Sequence, residues 1–265
     1  AGNLGGSGLG GGAGLWLAQH VHPIWVSGAV LGLVCLASSI AVLFIDEQIA
    51  EHREHSLVQS FVNVGRDVWS VVSQRTGLLV VFLMTLPIGT GAAQNLWSAV
   101  AGDWHASGDT VALVNGALGG VVAMVGCIAG GFLSDLMDRK TAFLMAGIVS
   151  ALTAVAMALA PRTELMFATL TLIYAFGLGL CYASWGAVVL EAIGKGAAAT
   201  KYNLLASISN MPIAYMTIVD GSSQEKWGSG GMLYTEALCG VAAVVLFGAV
   251  ALAVYRLWPR TIQTA

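Results

Sequence analysis

Long apolar runs, broken by short polar turns, set the pattern of this chain. A helix needs roughly 20 mostly apolar residues to cross the hydrocarbon core of a bilayer. Eight stretches approach that length: 1–21, 24–45, 77–101, 110–133, 141–160, 165–190, 202–219 and 232–256. The pattern predicts a membrane helix in each. Residues 202–219 are more polar but uncharged until Asp220, and residues 1–21 hold eight glycines in the first 14 positions. Small residues at that density suit a membrane helix that packs backbone to backbone. One connection is long. Residues 46–76 carry Asp46, Glu47, Glu51, Arg53, Glu54, Arg66, Asp67 and Arg75, while Leu57, Phe61, Val64, Val68, Val71 and Val72 recur at three- and four-residue steps. That periodicity predicts an amphipathic helix lying along the membrane surface. The chain thus divides into two helices (1–45), a linker (46–76) and six helices (77–265).

Composition agrees with lipid as the solvent. Of 265 residues, 57% are hydrophobic and 9% charged, whereas a soluble domain carries about 25% charged residues. This excludes a typical cytosolic enzyme, a nucleic-acid binder and a disordered chain. The net charge of −3 implies no charged partner. Lysine and arginine orient the spans. With eight crossings, one side receives Arg53, Arg66, Arg75, Arg139, Lys140, Lys195, Lys201, Arg256 and Arg260, and the other only Arg162 and Lys226. The basic side is expected to be cytoplasmic, together with the C-terminus. Asp103, Asp109, Glu164, Asp220 and Glu225 fall in the outer connections. Trp97, Trp104 and Trp227 read as an outer aromatic belt, and Trp69 and Trp258 as an inner one. The chain opens inside an apolar segment without an initiating Met, which leads to the expectation of a piece of a longer membrane protein.

Little chemistry is placed at membrane depth. Cys35, Cys127, Cys181 and Cys239 sit in separate apolar runs without metal or redox spacing. His20 and His22 fall at an outer turn, and His52 and His55 on the charged loop. No cluster of acids, histidines and cysteines suggests an enzyme, no ring of charge or filter sequence suggests a channel, and no Walker-type phosphate loop suggests nucleotide use. Glu191 ends a span on the inner side and Glu236 lies about a turn inside the last one. Each is a candidate proton-coupling carboxylate or else an interfacial acid reaching water. Uncharged polar residues offer more: Gln94, Asn95, Asn203, Ser207 and Asn210 either glue helices together or line a solute cavity, with Tyr182, Trp185 and Tyr215 as aromatic walls or packing residues. Pro87, with Gly89 and Gly91, and Pro212 predict helix kinks, and interrupted helices often border transport sites.

A weak repeat joins two polar helices: Asn3, Leu4 and Ser7 recur at an offset of 200 as Asn203, Leu204 and Ser207. Between two spans, residues 131–140 read GFLSDLMDRK. This resembles the signature loop of the major facilitator superfamily, G-x-L-x-D-R-x-G-R-K. Gly131, Leu133, Asp135, Arg139 and Lys140 match, while Leu136 and Asp138 depart from it. The resemblance implies an all-α polytopic helical bundle, truncated at its N-terminus, whose eight spans are helices five to twelve of twelve. It further implies a transmembrane secondary transporter, a symporter or antiporter, working by alternating access and coupled to protons. The alternative is a passive channel or a structural membrane protein. Gly131, Asp135, Arg139 and Lys140 would form a conformational gating loop, with Asp135 latching the start of helix five near residues 1–4. The runs 86–104 and 202–216 look most like the branch of muropeptide permeases and acetyl-CoA transporters. The expected partners are a small-molecule substrate, protons and the bilayer, with no cofactor, metal, nucleotide or nucleic acid. The Ala-, Gly- and Val-rich spans suggest a bacterial inner membrane.

Overall fold

The computed structural model describes residues 2–23, 25–40, 44, 62, 65–66, 69, 73–193 and 198–257. Most of the 46–76 amphipathic segment and the 258–265 tail, with Arg53, Lys195, Trp258 and Arg260, lie outside them. The described residues form helices and turns: α1 Gly2–His20, α2 Trp25–Ser39, α3 Arg75–Thr85, α4 Trp97–Val100, α5 Gly108–Asn115, α6 Ala117–Leu136, α7 Arg139–Leu159, α8 Glu164–Ile193 and α9 Ala198–Leu257. Four stretches are long and apolar enough to cross a membrane, Gly108–Leu136, Arg139–Leu159, Glu164–Ile193 and Ala199–Leu257; Trp25–Ser39 and Arg75–Thr85 are shorter apolar helices. Their outer faces suit lipid: Leu152, Leu165, Leu190, Leu238 and Leu252 are all more than 60% exposed. The protein is an all-α membrane protein.

α9 is two helices in one. Gly228 has φ 69° and ψ −174°, which breaks the helix. At 1.5 Å per residue an unbroken 59-residue span would run about 88 Å, far more than a bilayer needs. The limbs 198–227 and 229–257 instead fold into a hairpin at Gly228. The sequence pattern put Asp220 in an outer connection. The structure corrects this: the helix runs seven residues further, and Asp220 is completely buried. Its charge marks the hairpin interior and not the end of the span.

The 77–101 stretch is likewise not one helix. α3 stops at Thr85, residues 86–91 are irregular, and a 3₁₀ turn Ala92–Leu96 leads into α4 and a second 3₁₀ turn Ala101–Trp104. Gly89 (φ 57°) and Gly91 (φ 71°) occupy the left-handed region there, where a side chain is strained. The 110–133 stretch starts earlier and is interrupted at Gly116. Ser107 caps α5, its Oγ accepting from the Thr110 N–H at 3.3 Å. Its own N–H and hydroxyl donate to Glu164 at 2.9 and 2.6 Å, which pins this outer turn to the start of α8. At the opposite end, Asp138 caps α7 by accepting from the Thr141 N–H at 3.0 Å. That gives the departure from the loop motif at Asp138 a structural role.

Glycines let the helices touch. A Cβ on Gly126 would overlap the Phe176 carbonyl, and one on Gly179 would overlap the Ala123 carbonyl, so α6 and α8 meet backbone to backbone. α1 crosses α6 the same way. Gly8 lies against Gly120, Gly5 against Met124 and Gly12 against Ala117. The two helices are therefore antiparallel, and residues 2–4 stand level with about 125–128. Asp135 lies some eight positions beyond that level, about 12 Å along the axis, and is exposed. The expected latch from Asp135 is thus not formed with residues 2–4, and Ala1 lies outside the described residues. Trp97 and Trp104 also differ from expectation. Both are 0% exposed, Trp97 edge-to-face on Tyr174 at 5.3 Å and Trp104 beneath the Arg162 guanidinium at 3.8 Å. They fill the outer core and do not float in a belt. Trp69 and Trp227 are exposed.

Gly179→Ala is expected to lower the melting temperature of the purified protein, because overpacking a close contact costs about 1–3 kcal/mol. Gly131→Ala, where a Cβ meets nothing within 4 Å, should leave it unchanged or raise it, since alanine favours a helix by up to about 1 kcal/mol. Equal melting temperatures for the two variants would refute the close-packed α6–α8 interface.

Candidate functional site: a central cavity beside the broken helix

A cavity of about 560 Å³ opens between α1, the end of α3 with residues 86–91, α8 and the first limb of α9. Its size suits a small molecule. α1 contributes Asn3 and Leu4, the broken segment contributes Ile88 to Gly91, and α7 contributes Phe143. The first limb of α9 presents Tyr202, Ala206, Ser209, Asn210 and Ile213, steps of three and four that define one helix face.

Of the residues expected at a cavity, Asn95, Asn210, Tyr182 and Trp185 line it, and Gln94, Asn203, Ser207 and Tyr215 do not. The cavity face of α9 is turned by about one residue from the polar face at 203, 207 and 210: it runs through 202, 206, 209 and 213, and of the polar set only Asn210 reaches it. Asn203 and Ser207 are exposed, and the Ser207 hydroxyl donates to the Asn203 carbonyl at 2.8 Å. Ser7 does the same to Asn3 at 2.8 Å, so the weak repeat shares a local geometry. Gln94 is half-buried on the 3₁₀ turn.

Tyr182, Trp185 and Tyr202 make an aromatic wall. Tyr182 and Trp185 have ring centroids 5.7 Å apart, and Trp185 meets Tyr202 edge-on at 5.8 Å. Among the described residues the buried Trp185 Nε1–H has no hydrogen-bond partner, so this wall holds an unspent donor. Tyr202 was not singled out from sequence. Its signal was an aromatic residue at the step before Asn203, on the face that pairs with 206 and 209. Opposite, the Asn95 Nδ2 donates to the Thr217 Oγ1 at 3.0 Å, tying the 3₁₀ turn to α9.

The break at Pro87 frees backbone groups that lipid cannot satisfy. The Tyr215 hydroxyl donates to the Thr85 carbonyl at 2.9 Å, and the Thr90 hydroxyl accepts the Ala92 N–H at 3.2 Å. Tyr215 is therefore a cap for the broken helix and not a cavity wall. Pro212, by contrast, sits inside a helix that continues past it and lines the cavity.

The two candidate acids have different fates. Glu191 is exposed and pairs with Arg139 at 3.7 Å and Lys140 at 3.4 Å. It ties the C-terminal end of α8 to the start of α7 by exposed ion pairs. Glu236 is buried at 7% exposure, so the water-reaching reading fails for it. Its Oε1 accepts the Tyr174 hydroxyl at 2.8 Å and the Thr90 hydroxyl at 3.5 Å. Gly131 and Asp135 make no such tie among the described residues, and Gly131 has open space around it. Among the described residues no group of three or more His, Cys, Asp or Glu side chains is placed to hold a metal.

No curated protein matches the chain. A family model does, that of the Major Facilitator Superfamily, over residues 1–217. The matched region runs from α1 through the 131–140 loop and the cavity to the first limb of α9. With most of the chain matched, this multi-pass integral membrane protein belongs to the Major Facilitator Superfamily, a family of membrane transporters for small molecules.

Proposed function

We propose that the protein is a secondary active transporter that moves a small solute by alternating access, coupled to protons. The observation that carries this reading is the cavity itself. It lies where α1 meets the helices that follow the 46–76 segment, and it is bounded by the irregular 86–91 segment. A solute held there contacts α1 on one side and α8 and α9 on the other, so rocking these parts about the glycine crossing of Gly8 and Gly120 changes its access. The spans read as helices five to twelve of twelve, with 1–45, 46–76 and 77–265 as end of the first half, linker and second half. The Lys and Arg asymmetry supports a cytoplasmic C-terminus, and composition supports a bacterial inner membrane. The runs 86–104 and 202–216 are what supports the muropeptide permease and acetyl-CoA transporter branch. The Gly131, Asp135, Arg139 and Lys140 loop acts as the inner gate, with Glu191 as the acid it engages in this conformation.

The test is accumulation. A panel of polar solutes, with amino-sugar peptides and acyl-CoA compounds included, is screened by the rise each causes in melting temperature. The best binder should then accumulate in proteoliposomes above its outside concentration when a pH gradient is imposed. Equilibration to equal concentrations inside and out would favour the passive-channel alternative.

Trp185→Ala and Asn210→Ala should each raise KM for that solute by about tenfold, the equivalent of about 1.4 kcal/mol of lost binding. Unchanged KM in both would remove the cavity from the transport path.

Glu191→Gln should leave KM alone and alter turnover by a few-fold, because exposed ion pairs contribute only about 0–1 kcal/mol but here join elements that must separate. A KM effect with constant turnover would place Glu191 in solute binding instead.

A further inference from the structure

The α9 hairpin brings together two acids that the sequence keeps 16 positions apart. Asp220 lies eight residues before Gly228 and Glu236 eight residues after it, so both sit about 12 Å below the outer turn. Their carboxyls face each other. Asp220 is 0% exposed and Glu236 7%. Apart from each other, the Asp220 oxygens and Glu236 Oε2 have no hydrogen-bond partner among the described residues. No Lys or Arg pairs with either acid among the described residues. Arg162, at the outer end of the same helices, is engaged by the Trp104 ring and by the Ser229 hydroxyl at 3.1 Å. The other titratable groups around the pair are Tyr174 and Cys181 on α8 and Cys239 on the second limb, all neutral in their ordinary state.

An isolated buried carboxylate is costly, and two in contact are more so. Among the described residues no cation faces the pair, and two carboxyls in contact are relieved when one donates a shared proton to the other. Glu236 also has a route to the cavity. Its Oε1 accepts the Thr90 hydroxyl, and Thr90 lines the cavity on the irregular segment between Gly89 and Gly91. The Thr90 hydroxyl can pass its proton to Glu236 while taking one from the cavity side, and the reverse transfer discharges the pair.

We propose that the Asp220–Glu236 pair is a proton-binding site behind the cavity wall, loaded and emptied through the Thr90 hydroxyl. As the site that couples protons to transport it rests on the transporter reading. As a proton site it does not. Residues 86–91 end the helix that Tyr215 caps, so a movement of that segment makes or breaks the Thr90 contact and with it the proton's path. Sequence reading missed Asp220 because a charge at the end of an apolar run looks like a span boundary.

The experiment is infrared difference spectroscopy of the full-length protein in liposomes, stepped between acid and alkaline buffer. A carboxylic-acid C=O band that titrates is expected in the wild type. It should be lost in both Asp220→Asn and Glu236→Gln and kept in Glu191→Gln. In Thr90→Val the band should persist but exchange with deuterium several-fold more slowly. A band that survives both acid variants overturns the proposal. So does a band abolished by sodium ions at constant pH, which would make the pair a cation site. Labelling of the wild-type protein with dicyclohexylcarbodiimide, which attacks protonated buried carboxyls, covers the case of variants that do not fold. An adduct mapped by mass spectrometry to Asp220 or Glu236 supports the site, and adducts only elsewhere overturn it. A titrating band without solute accumulation would count against the transporter reading and leave the proton site standing.

Discussion

Direct backbone contact between α6 and α8 is the constraint on which the rest of the molecule depends. In lipid the hydrophobic effect does not hold helices together, and association rests on close packing. Gly126, Gly130 and Gly179 remove the side chains that would keep these two helices apart. With α8 locked against α6, the rotation of α8 is set. Tyr182 and Trp185 then face the cavity, while Tyr174 points into the outer core against Trp97 and Glu236. A single helix therefore serves both the cavity wall and the buried acid.

The second constraint is the broken helix at 86–91. A break inside a membrane protein exposes carbonyl and amide groups that need partners. Here the partners are side chains, one distant in sequence, Tyr215 for Thr85, and one local, Thr90 for Ala92. The irregular segment is thus held by hydrogen bonds that can exchange, and not by packing alone. It lies between the cavity and Glu236, with Thr90 in contact with both. The inner end of the molecule is held differently, by exposed ion pairs from Glu191 to Arg139 and Lys140. Such pairs are weak in water.

Much of this was legible in the chain and some was not, for reasons that separate cleanly. Hydropathy and the rules for proline and glycine act over a few residues. They sufficed to find the apolar runs and the interruption at Pro87, Gly89 and Gly91, while the 131–140 loop stood out only by its resemblance to a family signature. The all-α membrane class followed from them, because lipid leaves the backbone few alternatives. Only the tertiary structure decided which face of 202–213 lines the cavity, since a turn of one residue along a helix changes every neighbour. It also decided that Trp97 and Trp104 are core residues, and that Asp220 and Glu236 share one buried place. Those facts depend on where the hairpin closes at Gly228 and how α6, α8 and α9 pack. Local sequence carries no record of contacts made between residues that meet only after the helices assemble.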